Sequence, residues 1–165
     1  GKYFWKSLHD NMKPAVGGAM LFLNNARVVI NSVYAGIFDR HPTLQMVSVE
    51  SGMGWIPFIL EAMDYELLEN APAQAAELSR APSEYFKDHW YATFWFEENG
   101  GDLQGLIDKV GEGNVMFETD FPHPTCLYPR SDARVRKALE GLPLSTRKRL
   151  LQENAAELYH IDVPG

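Results

Sequence analysis

The residues of this chain best suited to chemistry lie in Val115-Met-Phe-Glu-Thr-Asp-Phe-Pro-His-Pro124, where a short apolar strand delivers Asp120 and then His123, a histidine between two prolines. A carboxylate at the C-terminal tip of a buried parallel strand sits where α/β proteins build active sites, because the strand fixes its last side chains while the loop beyond is free to vary. Asp120 is therefore the first candidate for acid/base work, against the plainer reading of a turn cap. His123 is a candidate for touching substrate, or else a stiff turn element. A second carboxylate, Glu50, ends another apolar run, so both acids can face one mouth, where each would raise the other's pKa. Trp55, just past Ser51-Gly-Met-Gly54, is a candidate substrate-binding wall and equally a core aromatic at a helix start.

Alternating strands and helices must position these groups. Apolar and β-branched runs predict strands over 44–50, 90–96 and 114–117. Helices are expected over 14–24 as a buried segment, over 26–39 with Asn24 or Asn25 as cap, and over 55–70, where Pro57 is tolerated in the first turn. Further helices are expected as a short turn over 84–88, over 102–110 ending at Gly111, over 131–140, and over 145–159 with Ser145 as N-cap. The stretch 71–82 reads as a surface connection or a loose helical turn. This order predicts a single α/β domain over 1–165 with about three parallel strands. So small a sheet leaves edges exposed, which predicts either packing against another copy as a homo-oligomer or membership of a larger α/β barrel.

Composition removes whole classes of function. A net charge of −7, with Lys and Arg scattered apart from Arg147-Lys-Arg149, argues against a nucleic-acid partner, so the aromatic run Trp90–Phe96 reads as buried rather than as a base-stacking surface. No apolar run approaches a bilayer span, and the N-terminus lacks the apolar core of a signal peptide. With one cysteine, Cys126, there is no internal disulfide, and the expected location is cytoplasmic. His89 has no ligand partner at suitable spacing and reads as structural. His9, His41 and His160 read as surface or capping residues.

Four motifs carry a resemblance. Asp39-Arg-His-Pro-x-Leu44, Val47-Ser-Val-Glu-Ser-Gly-Met-Gly-Trp55, Phe117-Glu-Thr-Asp-Phe-Pro-His-Pro124 and Glu153-Asn-Ala-Ala-Glu-Leu-Tyr159 resemble, in order, the C-terminal portion of the amidohydrolase-related family. This group of metal-dependent hydrolases and decarboxylases includes aminocarboxymuconate-semialdehyde decarboxylase. The resemblance implies a (β/α)₈ TIM-like barrel with these strands as its sixth, seventh and eighth. It implies that Asp120, at the tip of the eighth, binds or flanks a divalent metal, zinc or manganese, and handles a proton. Glu50 stands where the family's sixth strand often carries a histidine, and it could add to such a metal's ligand set.

The family's His-x-His on the first strand and its histidine on the fifth would lie upstream of Gly1, where the chain opens without Met in an aromatic-rich segment. The resulting expectation is the C-terminal part of a hydrolase or decarboxylase acting on a small organic acid, inactive alone because a catalytic metal needs about three protein ligands. The competing expectation is a non-catalytic, self-assembling α/β module.

Overall fold

A computed structural model describes residues 4–97 and 102–163. Three strands, β1 (Met46–Ser48), β2 (Trp90–Phe94) and β3 (Val115–Phe117), pair in parallel in the order β1-β2-β3. Met46 stands opposite Trp90, and Ala92 opposite Val115. Strand period sorts the side chains. Trp90, Ala92, Phe94 and Val115 enter the core among the helices, while Thr93 lies on the other face of β2, also buried.

The helices are α1 (Lys13–Leu21), α2 (Asn24–Tyr34), α3 (Ile37–Arg40), α4 (Ile56–Asn70), α5 (Pro72–Ala75), α6 (Pro82–His89), α7 (Leu103–Val110), α8 (Ser131–Ala138), α9 (Leu144–Lys148) and α10 (Asn154–Tyr159). Helix α4 is central to the packing and touches α2, α5, α6 and α7. Its Ile56 and Met63 meet Val29 and Val33 of α2, Phe86 of α6 and Ile107 of α7 in one core. Asp102 caps α7 by accepting the Gly105 N–H at 3.0 Å, and Gly111, at φ +111°, ends it.

Several elements differ from expectation. Helix α1 buries no residue: Met20 and Leu21 are exposed because no described element covers its apolar side. The helix expected over 26–39 breaks at Gly36, whose φ of +62° stops α2 and starts α3. Asn25 does not cap α2; its amide reaches across to the end of β1. Ser145 does not cap the last helix, which begins after Pro143 and carries a π turn, Arg149–Glu153, before α10.

The Asp39 motif is an anchor far from the strand tips. Asp39 accepts hydrogen bonds from Ser79 Oγ at 2.6 Å and from the Tyr85 hydroxyl at 2.7 Å. The Ser79 hydrogen bond, with help from Tyr85 and Arg80, holds the carboxyl below its usual range. A depressed folded pKa gives stability that is present above the unfolded pKa and lost as pH falls through the folded value. Asp39→Asn is thus expected to lower Tm at neutral pH, with the deficit against the parent closing on acidification; thermal melts over a pH series check this.

His89 is structural, as expected. It is buried, stacks on Phe38 at 4.4 Å, and its ring nitrogens meet Leu44 O at 2.9 Å and Arg80 Nη2 at 3.0 Å.

Candidate active site at the strand tips

Parallel pairing brings the C-terminal ends of all three strands to one side, and each is followed by an acid: Glu50 after β1, Glu97 after β2, and Glu118 and Asp120 after β3. Glu50 and Asp120 both adopt left-handed backbone, at φ +55° and +58°. For a residue with a Cβ this costs about 1–3 kcal/mol, and such strain collects at functional sites.

Asp120 is the better held. Its side chain is 5% exposed, while that of His123 is 61% exposed. His123 Nδ1 lies 3.2 Å from Asp120 Oδ2 and 2.9 Å from Thr125 Oγ1, and the Thr125 hydroxyl donates to the same Oδ2 at 3.2 Å. The turn closes through the His123 N–H, which donates to Asp120 O at 2.8 Å. A buried carboxylate joined to a solvent-facing imidazole is an arrangement that can pass a proton between a closed site and water.

Glu50 joins this pair through a residue that the sequence reading passed over. Glu118 Oε1 accepts the Glu50 N–H at 3.1 Å, and Thr93 Oγ1 lies 3.2 Å from the same nitrogen. Burial raises the Glu118 pKa; hydrogen bonds from Thr93 and the Glu50 amide oppose it, and the charges of Glu50 and Asp120 add to it. The three acids therefore share one electrostatic neighbourhood, with Glu50 exposed at its edge. Raised carboxyl values make folding less favourable as pH rises through them, a cost fully present above the folded pKa.

Trp55 is half-buried and packs against the core, its Nε1–H donating to Ser51 O at 3.0 Å. The loop it follows is stapled by Asn25, whose amide donates to Ser48 Oγ at 3.0 Å and Ser51 Oγ at 2.8 Å. On the other side Glu97 accepts the Met53 N–H at 2.6 Å. Gly52, at φ +64°, fits because a Cβ there would stand 2.2 Å from Glu97 Oε1. Gly52→Ala is expected to destabilise the chain by about 2 kcal/mol or more, combining left-handed strain with a displaced carboxylate; chemical unfolding measures it. Glu97 and Glu118 were legible only in part: both follow predicted strands, the same signal that singled out Asp120, but nothing in the spacing announces a cross-strand backbone partner.

A sequence model of the amidohydrolase family matches residues 20–161. The chain belongs to the amidohydrolase family. It is 24% identical over 134 residues to the 2-amino-3-carboxymuconate-6-semialdehyde decarboxylase of Dictyostelium discoideum, a match taking in 81% of this chain and 36% of that protein. It is 28% identical over 130 residues to the gamma-resorcylate decarboxylase of Rhodococcus jostii (strain RHA1), covering 78% of this chain and 37% of that protein. The chain thus spans little more than a third of the length of these curated relatives. A solved structure of 5-carboxyvanillate decarboxylase from Novosphingobium aromaticivorans, with bound manganese, superposes with TM-score 0.72 at 22% identity, over 93% of this chain and 45% of that one. The three parallel strands and flanking helices of this chain accordingly have the fold of part of a TIM-like barrel.

Proposed function

We propose that these residues form the proton-handling corner of an amidohydrolase-family decarboxylase that acts on a small organic acid. The observation that carries this is the Asp120 carboxylate, almost fully buried at the tip of β3 yet linked to the exposed His123. Loss of carbon dioxide is preferred to hydrolysis because both curated relatives named above are decarboxylases. In the reaction, Asp120 in its acid form gives a proton to the carbon bearing the carboxylate. The C–C bond then breaks, its electron pair returns to the carbon framework, and carbon dioxide leaves. His123 restores the proton from solvent, Glu50 orients the substrate from the β1 tip, and Trp55 braces the loop that carries Glu50.

A divalent ion, manganese or zinc, belongs to the same reading, since the 5-carboxyvanillate decarboxylase holds manganese. The donors of this chain do not complete such a site: among the described residues no three His, Cys, Asp or Glu side chains are grouped to hold a metal ion. In this reading Asp120 stands beside the ion and binds it as the carboxylate, once its proton has been passed on, with the remaining donors supplied by other strands of the barrel. When bound, the ion would polarise the substrate's oxygens. The acidic charge supports a small-molecule partner over nucleic acid, and we place the protein in the cytoplasm. No described helix is long and apolar enough to cross a membrane.

The test is a product analysis of the complete polypeptide carrying this segment, supplied with manganese and a panel of hydroxybenzoic and aliphatic carboxylic acids in heavy water. The expected product has lost carbon dioxide and carries deuterium on the carbon that bore it. Ester, amide or lactone cleavage with no gas release would instead make the protein a hydrolase.

One observation favours a second reading. Strands β1 and β3 have no outer neighbour among the described residues, and Phe58, Tyr65 and Leu68 of α4 are exposed. These suit a self-associating structural module. Concentration-dependent sedimentation without metal uptake would favour that module, whereas stoichiometric metal in the oligomer would indicate a site completed between copies.

A further inference from the structure

Glu97 takes no part in the chemistry proposed above, yet its placement is costly. The carboxylate is largely buried, and burial raises its pKa against the backbone hydrogen bonds that oppose the shift. Oε1 accepts the Met53 N–H at 2.6 Å, and a Cβ at Gly52 would stand 2.2 Å from the same oxygen. Oε2 is buried, with no hydrogen-bond partner among the described residues. An apolar side chain would remove that burden, so the group must supply something that burial alone would not.

What it supplies is the course of one loop. Residues 50–55 carry Glu50 at one end and Trp55 at the other. They are gripped at Ser51 by Asn25 of α2 and at Met53 by Glu97. The Trp55 indole closes the loop on Ser51 O. Glu50 itself sits in left-handed backbone at φ +55°, a conformation that a residue with a Cβ keeps only where its surroundings hold it.

We propose that Glu97 is a positioning residue: by accepting the Met53 N–H it fixes the 50–55 loop against the tip of β2 and so sets where the Glu50 carboxylate and the Trp55 ring stand. Its catalytic importance rests on the proposed function, in which Glu50 and Trp55 serve the site. The loop geometry itself does not.

Two readouts separate these levels. In the purified chain, amide exchange at Met53 and the Trp55 indole N–H resonance are compared among the parent, Glu97→Ala and Glu97→Gln. Loss of a hydrogen bond to a charged group is expected to speed Met53 exchange about tenfold or more in Glu97→Ala and to shift the Trp55 signal, with amides inside α4 unchanged. Glu97→Gln, which keeps an acceptor oxygen, is expected to restore both. Unchanged Met53 exchange in Glu97→Ala overturns the proposal, as does Glu97→Gln behaving like Glu97→Ala.

In the complete catalytic polypeptide, Glu97→Ala is expected to lower turnover as far as Glu50→Ala does, and Glu97→Gln to rescue it. A released loop with full turnover removes the positioning role. If Glu50→Ala and Trp55→Ala also turn over normally, the site assignment falls with it, while the loop contact stands.

Discussion

Asp120→Asn is expected to lower turnover of the complete enzyme by about 10²–10⁴-fold while leaving the fold intact, the range typical of losing a positioned acid or base. The substitution is chosen for what it keeps. Asn tolerates left-handed backbone as Asp does, so the φ of +58° is retained, and an amide oxygen can still accept from Thr125 Oγ1. Only the capacity to carry a proton and a negative charge is removed. Tm is expected to stay close to that of the parent. Asp120→Ala loses turnover similarly but adds the cost of a β-carbon in left-handed backbone, and it should melt lower by an amount that Asp120→Asn does not show. Near-normal turnover in Asp120→Asn would contradict the role assigned to this carboxylate.

Asn154→Leu is expected to be the most damaging single change to stability outside the apolar core, at about 2–4 kcal/mol. Asn154 is 1% exposed, and its Nδ2 donates to both Glu112 O and Val115 O at 2.7 Å. Leucine fills much the same space and abandons both carbonyls, a buried one at Val115 and a part-buried one at Glu112. The loss is partly offset because Asn154 Oδ1 has no hydrogen-bond partner among the described residues. Urea unfolding should show a lower midpoint at an unchanged slope. A change under about 0.5 kcal/mol, the ordinary size of a surface substitution, would mean the carbonyls find other donors. Val115 opens β3, so this α10 residue anchors the strand whose far end presents Asp120.

The elements most legible in the sequence are those whose local preference and tertiary environment agree. The aromatic run from Trp90 forms β2 because that strand is central and buried on both faces, and α4 and α7 follow their apolar spacing into the core. Legibility fails where a decisive contact lies far along the chain. Asn25 looks like a helix cap, the commonest use of an asparagine near a helix start, but its amide finds better acceptors at Ser48 and Ser51. Helix α1 looks buried because its residues are apolar, although no described element covers it. The strand expected over 44–50 shrinks to Met46–Ser48, where pairing with β2 is available.

The site divides the same way. Asp120 and His123 stand three residues apart in a turn, so their contact follows from local geometry. Glu50 meets the β3 tip through Glu118, a cross-sheet bond that no spacing rule announces. Trp55, weighed as pocket wall or core, leans on the core while its indole braces the loop. The motif around Asn154 proves to hold a strand in place.

The central claim is that the tip of β3 presents the Asp120 carboxylate to the reacting carbon of an organic acid. A crystal structure of the complete polypeptide with manganese and an unreactive aromatic acid analogue tests it most directly. The account predicts an Asp120 oxygen within hydrogen-bond reach, about 2.6–3.2 Å, of the atom that stands for the protonated carbon or its carboxylate, with His123 still against Asp120. A ligand seated in the barrel mouth with the Asp120 side chain turned away from it would contradict the claim.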